Sequence, residues 1–492
     1  MINGSISAPV KGDWRDELLR YFGVDPTASW TTNVWVWTAI AFLFAALAYL
    51  STAQRSDKER YPHPLPPRST LGLFETLEHC NSIHFHEWSL DLARNQGKIV
   101  EYNFWPLIRA RVIAVNDPKV ARKILENPES SKPREFYDFF DGLLGGTGFI
   151  SEEGDRYKHP RKSVSIGISH SNMDDMLTKM HAVMDQWITD NLGKNQGDVS
   201  NIDITVEMEK ATIQSIGKIA FGYDFSTEEI ERTLHNIFKI ADEFGRACEK
   251  NPVRKSPIGV FLWAAKREAS LCVQDIRRLV QNVLEAHQKK SVDEQKKVIV
   301  LNELNTPGSF ALVELAKNKD VQTRLRQELR SASADPTDKK RLVDNSLLKR
   351  VIRETMRLWP VAAGGGARVI PQDMVVTSSD GLGGERLMTI PKGTIAMMNS
   401  YPIMRDKDTF DRPDEWLPNR WECPSQDMNT AFFPFMVGRR SCPGQLLAMS
   451  ESEVFLARLV MDYEWSLVKE TQPEYNITLM IMGTILQAMK VG

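Results

Sequence analysis

Ten residues near the C-terminus constrain this chain more than any other stretch: Phe435-Met436-Val437-Gly438-Arg439-Arg440-Ser441-Cys442-Pro443-Gly444. Gly438 lets the chain turn tightly just ahead of Cys442. Gly444, two residues beyond it, removes a Cβ where backbone must pass close to a flat group. Arg440 is a fixed cation able to meet a carboxylate, and Phe435 offers an apolar face. Together they read as a cradle for heme, with the Cys442 thiolate as axial ligand of the iron and Arg440 set against a propionate. The plain alternative is a buried core cysteine in a Gly-rich loop. Five positions at fixed spacing agree with the heme reading.

A chain of 492 residues holds one large domain or two to three ordinary ones. Its 42% hydrophobic content supports a sizeable core, and a net charge of −2 gives no argument for a nucleic-acid partner. The five cysteines, Cys80, Cys248, Cys272, Cys423 and Cys442, are odd in number and widely spaced. They suit free thiols in a reducing compartment. No CxxC or His-x-x-x-His cluster marks a zinc site. His84, His86 and His159 read as surface histidines.

From Val34 to Leu50 every residue is apolar except Thr38, with Trp35, Trp37 and Tyr49 at the ends. Spanning a bilayer takes about 17–25 such residues. A signal-anchor helix, a cleaved secretory signal and a buried core helix all fit the run, and its late start argues against the second. Arg55, Lys58 and Arg60 follow closely, whereas Lys11, Arg15 and Arg20 lie farther off and among acids. That bias puts the C-terminal bulk in the cytosol. Asp13 to Phe22 has helical spacing suited to a membrane surface. Pro62, Pro64, Pro66 and Pro67 form a stiff linker.

Ile99–Tyr102 and Val112–Val115 read as strands, residues 172–329 as mostly helical, and residues 369–396 as strands and turns. Glu354 and Arg357 share a helix face at i, i+3, a spacing that allows an ion pair.

The C-terminal run matches the signature Phe-x-x-Gly-x-Arg-x-Cys-x-Gly, and the chain resembles the cytochrome P-450 superfamily, in its membrane-anchored eukaryotic microsomal form. The resemblance implies a mostly α fold with a small β part, as one large catalytic domain over residues 69–492. Ahead of it would come an N-terminal segment (1–30), a transmembrane anchor (31–52) and a Pro-rich hinge (53–68). It implies heme b, its iron axially ligated by Cys442, with Phe435, Gly438, Arg440 and Gly444 around it. Arg368, which follows Gly364-Gly365-Gly366, matches a propionate contact. Arg161 matches another, and Tyr157 stands where Trp is usual, still able to donate a hydrogen bond. In the family, Glu-x-x-Arg locks to an Arg of the loop upstream of the Cys. Carried over, these are Glu354, Arg357 and Arg420, structural rather than catalytic. Trp416 in that loop replaces Phe.

One region departs from the family pattern. The helix crossing the distal heme face usually carries an acid–alcohol pair. The local text is Asn302-Glu303-Leu304-Asn305-Thr306-Pro307-Gly308-Ser309. With Thr306 as the alcohol, Asn305 stands in the acid position, and an amide orients water without delivering a proton. Glu303 is the spare candidate acid. Either a segment is missing here or Pro307 and Gly308 bend a remodelled helix.

The implied activity is hydroxylation or further oxidation of a lipophilic small molecule, terpenoid- or fatty-acyl-like, in secondary metabolism. The chain carries no Gly-x-Gly-x-x-Gly opening a helix and no fused flavin domain, so electrons would come from a separate NADPH-dependent reductase. Lys158, Lys162 and Arg439 are candidate docking charges. The expected location is the endoplasmic reticulum membrane, single-pass, with a cytosolic catalytic domain. Two alternatives stay open: a reductase-independent isomerase or dehydratase, and a catalytically defective heme-binding protein. The aromatic stretch Phe136-Tyr137-Asp138-Phe139-Phe140 suits either an apolar pocket wall or ordinary core, and Arg134 could pair with an acidic substrate group.

Overall fold

The computed structural model describes residues 73–491 apart from 81, 83, 105–107, 109, 135, 138–150, 193–198, 245–266, 289–306, 333–344, 380–383, 476–478 and 481–483. The segments 1–30, 31–52 and 53–68 therefore lie outside the described residues. Among the described residues no helix is long and apolar enough to cross a membrane. The chain divides into two compact units, Met1–Pro62 and His63–Gly492, and the description concerns the second.

Two helices, α1 (Leu73–Cys80) and α2 (Phe85–Asn95), lead into strands β1 (Ile99–Tyr102) and β2 (Val112–Val115). Helices α3 (Pro118–Glu126), α4 (Gly154–Gly167) and α5 (Met173–Asn191) follow, then strand β3 (Val199–Asp203). The central helical part comprises α6 (Ile204–Ile216), α7 (Thr227–Phe244), α8 (Arg267–Gln288), α9 (Pro307–Lys317), α10 (Lys319–Ala332) and α11 (Ser346–Leu358). Strands β4 (Gly366–Val369), β5 (Met374–Ser379), β6 (Glu385–Ile390) and β7 (Ile395–Met398) come next. The short helices α12 (Ser400–Ile403) and α13 (Gln426–Ala431) precede α14 (Gln445–Asp462). Strands β8 (Tyr463–Lys469), β9 (Glu474–Tyr475), β10 (Leu479–Met480) and β11 (Ile485–Lys490) close the chain.

Local chemistry explains where several elements start. Asp117 caps α3 by accepting from the Lys119 and Val120 amides at 2.9 and 3.1 Å, and Pro118 fills a first-turn position that needs no amide. Asn345 caps α11 through the Leu348 amide at 2.8 Å. In α11, Leu347, Leu348, Val351, Ile352 and Leu358 are buried, and so are Glu354 and Arg357. A buried ion pair inside an apolar helix face needs partners from elsewhere. Helix α14 is buried along most of its length and runs through the largest core cluster, with α5, α6, α9, α10 and α11 around it.

The four-stranded sheet runs β1-β2-β7-β4. Its outer pairs are antiparallel and the β2–β7 pair is parallel, with Val112 opposite Ile395. A bridge from Ser131 to Val369 ties the chain after α3 to β4. Strand β4 thereby brings Arg368 beside the residues that lead towards α4.

Candidate cofactor site

The Cys442 loop is shaped by its backbone. Met436 and Gly438 adopt φ of +58° and +76°. At Gly438 an added Cβ would lie 2.4 Å from the Leu125 carbonyl oxygen at the end of α3, so both the torsion and the close approach require glycine. The Cys442 amide donates to the Phe435 carbonyl at 2.8 Å, which folds the loop back on itself. Phe435 packs against the main core. Gly444 precedes α14 with φ −81°, a conformation open to any residue, so backbone strain does not demand glycine there. Cys442 is half-buried and outside any disulfide.

Behind the loop, Glu354 gathers donors from its own helix and from the 417–421 segment. Its carboxylate accepts from Arg357 Nε and Nη2 at 2.8 and 2.9 Å, from Arg420 Nε at 2.8 Å, from the Leu417 amide at 2.8 Å and from Trp421 Nε1 at 2.9 Å. Arg357 donates onward to the Met404, Pro413 and Glu415 carbonyls. Arg420 reaches the Asp411 and Arg412 carbonyls. Trp416 donates to the Thr355 hydroxyl at 3.0 Å, a bond that Phe could not make. The structure thus brings Glu354, Arg357 and Arg420 together. Trp421, which sequence reasoning passed over beside Arg420, completes the carboxylate's shell.

Four cations converge next to the loop. Arg368 is 3% exposed and bonds its own neighbour's carbonyl, Ala367, at 2.8 Å. Arg161 donates to the Ser441 carbonyl, and its Nη2 to Ser441 Oγ at 3.3 Å. Arg440 lies over the Tyr157 ring at 3.4 Å and donates through Nη2 to Glu153. Lys132 sits 4.6 Å from the Tyr137 ring centre. Burial, then Arg368 and Arg440, push the Lys132 ammonium down to about 7, and Glu153 opposes them. Tyr157 directs its hydroxyl to the Arg439 carbonyl at 2.6 Å. Sequence reading missed Lys132 and Glu153. Glu153 lies 287 positions from Arg440, and no spacing rule joins them.

This arrangement fits a heme. One carboxylate among four cations leaves positive charge to be balanced, and heme b carries two carboxylates at one edge. Arg440 Nη1 is buried without a hydrogen-bond partner, which in a native fold calls for a ligand or water. A Cβ added to Gly366 would touch Met436 Sδ, Arg368 Nη1 and the Tyr137 hydroxyl at 3.6–3.7 Å, so the loop, β4 and the 131–137 segment meet at one place.

Helix α9, which also contacts α11, is held mainly by packing. Phe310, Ala311, Leu312 and Leu315 are at most 3% exposed. Phe310 stacks on Trp359 with ring centres 5.7 Å apart, and Trp359 Nε1 donates to Glu314 Oε1 at 2.9 Å. Burial raises the Glu314 pKa against the pull of Lys317. Glu303, Asn305 and Thr306 lie outside the described residues, as does the stretch before them.

Other expectations meet different outcomes. Phe136 packs edge-on against Phe104 at 5.8 Å within an apolar cluster, and the Tyr137 hydroxyl accepts from the Ala367 amide at 3.3 Å. Both side chains therefore have core partners, and residues 138–150 are outside the described set. Arg134 is exposed. His84 is exposed beside Glu87, as expected for a surface histidine, and His159 is exposed too. His86 corrects the expectation: it is 1% exposed and packs edge-on to Tyr401, because it falls on the inner face of α2. Lys158, Lys162 and Arg439 are exposed, and Lys158 pairs with Asp155 at 3.0 Å.

The chain is similar to known proteins. The chain is 34% identical over 170 residues to the ent-isokaurene C2/C3-hydroxylase of Oryza sativa subsp. japonica, covering 34% of this chain and 31% of that protein. It is 32% identical over 182 residues to the 9-beta-pimara-7,15-diene oxidase of the same plant, covering 36% and 34%. Against the mitochondrial cholesterol side-chain cleavage enzyme of Oncorhynchus mykiss it is 22% identical over 447 residues, 80% of this chain and 84% of that protein. The chain thus spans about a third of the length of the rice relatives it matches. The sequence model of the family Cytochrome P450 matches in two stretches, residues 62–308 and 304–489, which meet just ahead of and at the start of α9. The chain belongs to the cytochrome P450 family, whose cofactor is heme b with its iron held by a cysteine thiolate.

Proposed function

We propose that this protein is a heme-thiolate monooxygenase that hydroxylates or further oxidises a lipophilic small molecule, terpenoid- or fatty-acyl-like, in secondary metabolism. The observation that carries the reading is the Cys442 loop, closed by the Cys442–Phe435 bond and flanked by Arg161, Arg368, Arg440 and Lys132. The rice relatives are named for oxidation of isokaurene and a pimaradiene, which supports a terpenoid substrate. Bound heme supplies dioxygen activation and oxidation of an unactivated C–H bond.

The chain's own residues do the rest. Cys442 gives its thiolate to the iron, and the Glu354 network holds the segment that presents it. The basic cluster would take the two heme carboxylates. Gly444 would leave room for the macrocycle beside the backbone. Thr306 and Asn305 orient water ahead of α9, and Glu303 is the acid there able to give up a proton. Electrons come from a partner NADPH-dependent reductase, with Lys158, Lys162 and Arg439 offering exposed positive charge. Segment 31–52 anchors the chain once in the endoplasmic reticulum membrane, with the catalytic domain cytosolic.

A second reading, a reductase-independent isomerase or dehydratase, draws on the break in the family match at residues 304–308. One set of measurements separates the two. The reduced protein with carbon monoxide should show the strongly red-shifted Soret band of thiolate ligation, and Cys442→Ala should abolish it. A band-positive protein that turns over a diterpene only with NADPH and reductase is a monooxygenase. Turnover of a peroxide without either supports the second reading. A native protein without the band sinks both.

A further inference from the structure

Arg440 is held by two supports. A guanidinium has its N–H groups in one plane, so fixing the plane fixes where every donor points. Its face rests on the Tyr157 ring at 3.4 Å. Its Nη2 donates to Glu153. Both supports are themselves pinned: the Tyr157 hydroxyl donates to the Arg439 carbonyl at 2.6 Å, and Glu153 Oε1 accepts from the Lys132 amide at 3.0 Å. Glu153 is the N-cap residue of α4 yet spends no side-chain bond on that helix, so its carboxylate is available to Arg440. The Arg440 side chain is 10% exposed, and its remaining terminal nitrogen, Nη1, has no partner.

We propose that Glu153 and Tyr157 are positioning residues that orient Arg440, aiming its buried Nη1 at a heme carboxylate. This rests on the heme-thiolate reading above. It gives Tyr157 a new part: its ring is the platform under Arg440, and its hydroxyl braces the loop. The single acid in the basic cluster is a bracket rather than a stray charge. It takes one guanidinium nitrogen and leaves the other for the ligand.

The test is the rate of heme loss from the loaded protein to a scavenger apoprotein. Glu153→Ala and Tyr157→Leu should each speed heme loss about tenfold, the size of a charge-assisted hydrogen bond. In an Arg440→Ala background Glu153→Ala should add nothing further, and Tyr157→Leu should add no more than Tyr157→Phe, which removes only the hydroxyl's bond to the Arg439 carbonyl. Glu153→Gln, isosteric and at a half-exposed site, serves if the alanine variant fails to fold; its effect should likewise vanish with Arg440 gone. Equal acceleration in both backgrounds overturns the proposal, as does no acceleration in the single variants. Failure of the underlying reading looks different: the native protein would then lack the thiolate band from the start.

Discussion

The segment that presents Cys442 and the helix that begins at Pro307 flank the same core helix, α11, and are held by different physics. Behind Cys442, five donors from Arg357, Leu417, Arg420 and Trp421 converge on one carboxylate that is fully buried. Helix α9 is held mainly by apolar side chains, with polar contacts towards its C-terminal end: Trp359 to Glu314, Gln322 to the Leu315 carbonyl and Lys317 to Glu470. Directional bonds to a buried charge permit one geometry and penalise every other. Apolar packing accepts exchanges of shape and size at modest cost. The family match runs unbroken through the first region and is split at the start of the second. A thiolate ligand must be placed accurately, so its support is rigid. Helix α9 can be rebuilt around a different chemistry while its apolar face still fits the core.

The strongest way to break this comparison is Glu354→Ala. It strands two guanidinium groups in a dry interior and should cost about 3–5 kcal/mol, with loss of heme incorporation, in urea unfolding and heme-content assays. A loss under 1 kcal/mol would mean that packing, not the ion network, holds the loop. Helix α14 carries the contrast into the core through Glu451, whose carboxyl accepts from Thr212 at 3.3 Å. Burial pushes Glu451 up to about 7 from the ordinary 4.5, with Thr212 opposing. A raised folded-state pKa means that its contribution is intact below pH 4.5 and is lost as pH climbs to about 7. Glu451→Gln removes that loss, so the variant should match the native protein near pH 4.5 and exceed it above pH 7, by as much as about 3 kcal/mol. Urea midpoints at the two pH values decide it, and a constant offset would refute the linkage.

Trp359→Phe keeps an aromatic ring against Phe310 and Arg405 and deletes the bond to Glu314. The expected cost is about 1–2 kcal/mol with the thiolate band unmoved. A shifted band would show that the two regions are not independent. The mildest change is Asn305→Asp, expected to leave stability as it is and to raise product formed per NADPH severalfold, by restoring an acid beside Thr306. Unchanged coupling would move the proton source to Glu303.

Much of this was legible in the chain. The loop at 435–444 is a local object: its turn, its ligand and its cation lie within ten residues, and Gly438 declares a torsion that other residues resist. The i, i+3 pair Glu354 and Arg357 is local too, though only the fold shows that Arg420 and Trp421 reach the same carboxylate. Strands β1 and β2 could be read from their apolar runs. His86 was misjudged because two histidines on either side of one residue look alike in sequence, whereas the rotation of α2 sends one to solvent and one to Tyr401.

The sequence by itself determined the thiolate, the loop that bends around it and the helix pair that braces it, because backbone conformation and short-range spacing are properties of neighbours along the chain. Only the tertiary structure decided what surrounds them. Lys132, Glu153, Tyr157, Arg368 and Arg440 come from four separate stretches, and their meaning arises from proximity and burial. Burial lowers a lysine's pKa to about 7 and leaves one guanidinium nitrogen without a partner, and proximity turns a half-exposed acid into a bracket for Arg440. None of those energies exists until the segments meet and water is excluded.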